Sequence, residues 1–122
     1  MGELSISQVI NFLEVFIMAE KTIMLCCAAG MSTSMLVARM QDAAKADGED
    51  VEIFACPAAE ADDKLSQENV SAILLGPQVR YMLDSFKQKV SDKNIPVDVI
   101  DMQAYGMMDG EKVLKQGLSL IK

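Results

Sequence analysis

Apolar residues along the chain fall in short runs, and stretches of mixed polarity and helical length separate them. The runs occupy residues 22–27, 51–55, 70–75 and 97–100; the intervening stretches occupy 33–46, 58–65, 79–90 and 110–121. Thr22–Cys27 and residues 70–75 carry no charge at all, the pattern expected of strands covered on both faces. The punctuation agrees. Gly48 follows the first helical stretch, Pro57 opens the second, Gly76-Pro77-Gln78 turns the chain into the third, and Pro96 precedes the last strand. Strands alternating with helices build right-handed βαβ units, so the pattern predicts an α/β fold: a three-layer α/β/α sandwich with a four-stranded parallel sheet. Ligands in such folds sit beyond the carboxyl ends of the strands. That edge would collect residues 27–34, Cys56, residues 76–78 and residues 101–110.

The first segment stands apart. Residues 4–18 are strongly apolar, but Ser7, Gln8, Asn11 and Glu14 interrupt them and they are too short to cross a bilayer. Helical spacing would put Ile6, Val9, Ile10, Leu13 and Phe16 or Ile17 on one side. The start has no basic cluster of the kind a signal peptide carries. Met18 reads as a natural chain start, so residues 1–17 are taken as an N-terminal extension or expression remnant and residues 18–122 as the functional domain. A helix that docks on a partner or on this domain's own surface is the alternative.

Composition narrows the function. At 122 residues the chain fits one domain with a real core, and a net charge of −7 argues against nucleic acid, which would need a basic face. Three cysteines without paired spacing, and no histidine, make a disulfide framework or a structural zinc site an unsuitable reading. No metal and no cofactor are expected. Reduced thiols suit the cytoplasm. Without histidine, any imidazole in the chemistry must come from a partner.

The candidate chemistry lies where the first strand meets the first helix. Cys27 ends the strand; Ala28, Ala29 and Gly30 keep the turn small; Met31, Ser32, Thr33 and Ser34 lead into the helix. A helix N-terminus offers unpaired N–H donors and a positive dipole end, which together hold an anion and favour a thiolate. Adjacent strand residues point to opposite faces, so Cys26 and Cys27 cannot share one environment, and Cys26 reads as a buried inert thiol. Cys27 could be buried in the same way, and the hydroxyls could be ordinary helix caps. Three in a row exceed what capping needs. The loop is like the phosphate loop of low-molecular-weight tyrosine phosphatases, whose signature is Cys-x5-Arg. Here the sixth residue after Cys27 is Thr33, and the nearest acids, Asp101 and Asp109, also read as caps. A site that accepts phosphate without hydrolytic parts suits a carrier; a cysteine phosphatase-like hydrolase is the alternative. Gln78, Arg80 and Tyr81 follow the third strand and are placed to rim the pocket, while Met31, Met107 and Met108 could form an apolar docking face. The run Glu60, Asp62, Asp63 reads as a solvated helix face.

Three motifs in order then resemble one family. Cys-x-Ala-Gly-Met-Ser-Thr-Ser from Cys27, Leu-Leu-Gly-Pro-Gln-Val-x-Tyr at 74–81 and Val-Ile-Asp-x-x-x-Tyr-Gly-x-x-Asp-Gly at 99–110 are similar to the IIB component (EIIB) of the lactose/cellobiose and chitobiose branch of the bacterial sugar phosphotransferase system. The likeness covers about residues 20–122. It implies a four-stranded parallel sheet flanked by helices and a cytoplasmic phosphoryl carrier, held peripherally at the membrane through EIIC. It implies further that a phosphohistidine on EIIA phosphorylates the cysteine matching Cys27. The phosphocysteine then phosphorylates a disaccharide of the cellobiose, chitobiose or lactose class as EIIC imports it. Cys26 beside the reactive position and Ala28, where the family often has Ser, are departures.

Overall fold

The computed structural model describes residues 21–28 and 31–121, so the helix expected over residues 4–18 lies outside the described residues. The elements run β1 (Thr22–Cys27), α1 (Met31–Asp47), β2 (Glu52–Pro57), α2 (Ala61–Gln67), β3 (Ala72–Leu75), α3 (Leu83–Lys89), β4 (Val97–Val99), α4 (Met102–Gly106) and α5 (Gly110–Leu120). All neighbouring strands pair in parallel, in the spatial order β2-β1-β3-β4. The chain leaves β1 for one side of the sheet and then returns across it to build the other. Between β1 and β3 lies the switch point where such folds open a crevice at the carboxyl edge.

Two apolar layers sandwich the sheet, and the pleat of β1 divides them. Ile23 and Leu25 pack with Leu36, Met40, Val113 and Leu114 beneath α1 and α5. Met24 and Cys26 pack with Leu65, Phe86 and Val90 beneath α2 and α3. β1 is buried along its whole length, which is why its sequence does not alternate in polarity. Among the described residues no helix is long and apolar enough to cross a membrane.

The expected elements are present with shifted ends. α1 begins two residues before the predicted 33, and Gly48 closes it with φ +71°. The helices expected over 58–65 and 79–90 each open as a 3-10 turn, at Ala58–Glu60 and Pro77–Met82, before α2 and α3 begin. Pro57 belongs to the end of β2. Val79 turns its side chain into the core with φ −117°, which breaks the regular helix there. α4 was not expected. Asp101 caps it by accepting from the Ala104 N–H at 2.9 Å, and Gln116 of α5 fixes its start by accepting from the Asp101 N–H at 3.0 Å. Glu60, Asp62 and Asp63 are exposed, with Asp62 paired to Lys89 at 2.9 Å.

α5 approaches its neighbours more closely than side chains would allow. A Cβ on Gly110 would meet the Arg39 backbone of α1 at 2.5 Å, and one on Gly117 would meet Ile23 Cδ1 at 2.8 Å. Gly106, by contrast, has open space where a Cβ would stand. Gly110→Ala should therefore destabilise the domain by about 1–3 kcal/mol through forced displacement of α5, and Gly106→Ala should leave it unchanged or slightly more stable. Urea unfolding of the two variants tests this; equal stabilities would contradict the close packing.

Candidate functional site at the carboxyl edge of β1

The last two residues of β1 are both cysteines, and the pleat sends them apart as expected. Cys26 lies in the α2/α3 layer, completely buried, with its sulfur 3.8 Å from that of Cys56, its register partner on β2. The hydrogen bond to Cys56, together with burial, pushes the Cys26 thiol far above the ordinary thiol range, so it stays protonated. The same hydrogen bond draws Cys56 down.

Cys27 shares the parity of Ile23 and Leu25 and so faces the α1 side. It is 3% exposed, yet it belongs to neither apolar cluster. Its sulfur is in hydrogen-bond contact with Thr33 Oγ1 at 3.0 Å, and Thr33 itself is wholly buried in the first turn of α1. Thr33 thus stands against the thiol, where the phosphatase signature would place an arginine. Ala28 and Ser34 are exposed. The positions of Ala29 and Gly30, and the side chains of Met31 and Ser32, lie outside the described residues.

The floor of this edge is closed by β3. The Gly76 N–H donates to the Cys26 carbonyl at 2.7 Å, and a Cβ on Gly76 would stand 3.5 Å from Cys27 Cβ and 2.9 Å from Gln78 Oε1. This hydrogen bond holds the turn after β3 against the end of β1. It also brings Gln78 beside Cys27, and Gln78 Nε2 donates to Tyr105 Oη of α4 at 3.2 Å. Sequence reasoning placed Gln78 at the rim but missed Tyr105, which entered only as a letter in a motif.

Arg80 and Tyr81 sit on the same 3-10 stretch and are exposed; among the described residues neither is bonded to the Cys27 loop. Tyr81 is 79% exposed. Met107 is 68% exposed, whereas Met108 packs on the α1/α5 layer with φ +54° and turns the chain between α4 and α5. Asp101 and Asp109 both act as caps, the latter accepting from the Lys112 N–H at 3.1 Å.

A family model for the lactose/cellobiose-specific IIB subunit of the phosphotransferase system matches residues 22–116. The galactose-specific EIIB component of Lactococcus lactis subsp. cremoris is 48% identical over 107 residues, covering 85% of this chain and 99% of its own. The cellobiose-specific EIIB component of Lactococcus lactis subsp. lactis matches with the same identity and coverage. The oligo-beta-mannoside-specific EIIB component of Bacillus subtilis is 43% identical over 101 residues, covering 83% and 96%. Among solved structures, the cellobiose-specific IIB protein of Borrelia burgdorferi superposes with a TM-score of 0.66 at 34% identity, over 83% of this chain and 91% of that one. The lactose-specific IIB domain of Streptococcus pneumoniae shares the fold, with a TM-score of 0.73 at 17% identity over 83% and 97%. The chain belongs to the lactose/cellobiose-specific IIB subunits of the sugar phosphotransferase system, phosphoryl carriers that work with EIIA and EIIC.

Proposed function

We propose that Cys27 is the residue that carries the phosphoryl group, and that Ala28, Ala29, Gly30, Met31, Ser32, Thr33 and Ser34 cradle its oxygens. The contact between Cys27 Sγ and Thr33 Oγ1 at 3.0 Å, made at the N-terminus of α1, is the observation that supports this most. A thiolate there has a hydroxyl donor and the positive end of a 17-residue helix beside it. The sulfur attacks the phosphorus of a phosphohistidine on EIIA. A P–S bond forms as the P–N bond breaks, and the imidazole leaves with the electron pair. In the second transfer a sugar hydroxyl oxygen attacks the same phosphorus, the sulfur departs as thiolate, and the hydroxyl proton passes to a base on the partner. The chain has no histidine to serve as that base. Positioning and charge neutralisation by the loop then do the catalysis.

Retention of the group follows from what the site lacks. Thr33 occupies the place of the phosphatase arginine, and Asp101 and Asp109 are engaged as caps rather than held ready to activate water. This favours the carrier over a hydrolase. Gln78, tied to Tyr105, and the exposed Arg80 and Tyr81 follow β3 and would form the rim of the site. Met35, Tyr81, Met102 and Met107 are 59–79% exposed on the segments that follow β1, β3 and β4. Such apolar exposure at one edge suits docking of EIIA and EIIC in turn. The lactose/cellobiose-specific family supports a sugar of the cellobiose, chitobiose or lactose class, and relatives named for galactose, cellobiose and oligo-beta-mannosides at 43–48% identity support leaving the choice of sugar to EIIC. The carrier would work on the cytoplasmic side, held there by EIIC. Residues 1–17 lie before the matched segment, in keeping with an extension ahead of a domain at 18–122.

Incubation with phosphorylated EIIA should add one phosphoryl group, located on Cys27 by peptide mass spectrometry. Cys27→Ser should abolish it and Cys26→Ala should not; label persisting in Cys27→Ser contradicts the assignment. Thr33→Val should slow acceptance roughly five- to tenfold, the equivalent of one hydrogen bond of about 1 kcal/mol. Thr33→Ser should restore it, and an unchanged rate in Thr33→Val would remove Thr33 from the mechanism.

A further inference from the structure

Two thiols remain that phosphoryl transfer does not use. Cys26 and Cys56 face each other across β1 and β2 as direct register partners, with their sulfurs 3.8 Å apart. Each is the penultimate residue of its strand, so the pair sits at the same edge of the sheet as the Cys27 loop. Neighbouring strands run about 4.8 Å apart, within the span of about 4.4–6.8 Å that a disulfide bridges between Cα atoms. A disulfide would draw the sulfurs together by roughly 1.8 Å, to the usual bond length of about 2.05 Å. The pull would act on the residue immediately before Cys27, whose carbonyl is held by Gly76 at 2.7 Å.

We propose that Cys26 and Cys56 form a reversible disulfide that displaces Cys27 from its place beside Thr33, so that peroxide switches phosphoryl transfer off. Both sulfurs are buried, which restricts the oxidant to a small one such as hydrogen peroxide. The Cys56 sulfur, drawn down by its hydrogen bond from Cys26, attacks one peroxide oxygen. An S–O bond forms as the O–O bond breaks, and the departing hydroxide takes the Cys56 proton to become water. The Cys26 sulfur then attacks the Cys56 sulfur; the S–S bond forms as the S–O bond breaks, and the second hydroxide takes the Cys26 proton. Two thiols and one peroxide become one disulfide and two waters. The sulfurs are oxidised and the peroxide oxygens reduced. The crosslink itself needs nothing from the role of Cys27; only its effect on transfer rests on that proposed role.

The experiment has two arms. In Cys27→Ser only Cys26 and Cys56 remain as thiols. Peroxide treatment should give an intramolecular Cys26–Cys56 peptide pair and no thiol titratable after unfolding, and dithiothreitol should restore both. Thiols that stay free, or that oxidise separately to sulfinic acids, overturn the crosslink. In the wild type, the same treatment should slow acceptance from phosphorylated EIIA by about tenfold or more, since a displacement of about 1 Å can cost that much, and dithiothreitol should reverse it. Cys56→Ala and, from the opposite strand, Cys26→Ala should keep their untreated rates. A crosslinked wild type with an unchanged rate, or a Cys56→Ala chain inactivated to the same extent, overturns the switch. Should Cys27→Ser still accept label before any oxidant is added, it is the carrier assignment that fails instead.

Discussion

Successive side chains of a β-strand leave it on opposite faces, and at the end of β1 this constraint separates two adjacent thiols. Cys26 goes into the α2/α3 layer, where apolar neighbours and Cys56 keep it protonated. Cys27 goes toward α1, where its sulfur meets a hydroxyl at the start of a long helix. A slip of one residue in the register of β1 would exchange these environments, turning Cys27 into the α2/α3 core. The packing of β1 between β2 and β3 prevents that slip, since Ile23, Met24 and Leu25 are each fully buried on a committed face.

The switch in strand order supplies the remaining geometry. Because the chain moves from β1 to β2 on one side and to β3 on the other, the switch point of the sheet, where such folds bind ligands, lies between β1 and β3, and the turn after β3 packs on the end of β1. The Gly76 N–H holds that turn on the Cys26 carbonyl, and the Gln78–Tyr105 hydrogen bond ties it to α4. α4 is itself held by Asp101 and by Gln116 of α5, so the ends of β1, β3 and β4 are braced as one edge. A phosphoryl carrier needs such bracing because its chemistry is mostly placement: in the proposed relay the same sulfur must first line up with a phosphorus held on the partner's imidazole and then hold that phosphorus in line for a sugar oxygen.

Much of this was legible in the sequence because the signals are local. The unalternating run ending in Cys27, the small residues after it, the hydroxyls opening α1 and the stop at Gly48 all sit within one stretch; the structure follows it at β1, at Thr33 in the first turn of α1 and at Gly48. Boundaries failed where burial overrode local preference, as at Val79, whose inward side chain interrupts the helix expected over 79–90. α4 was invisible because five residues carry too little periodicity to register; its cap at Asp101 was the available signal. Tyr105 as a partner of Gln78, and Cys56 as the partner of Cys26, depend on pairings 27 and 30 residues apart in sequence. The first arises from how α4 docks on the turn after β3 and the second from sheet register, and no local pattern in the sequence encodes either.

The central claim is that the phosphoryl group resides on the Cys27 sulfur within the amides that open α1. Phosphorus NMR of the chain after phosphorylation by its EIIA, combined with mapping of backbone amide shifts, reads this directly. The account predicts one phosphorus resonance of a phosphothiol, with the largest amide shifts confined to residues 27–34 and Gly76–Gln78. A phosphoester or acyl-phosphate resonance, or shifts centred on Cys56 and α2, would contradict it.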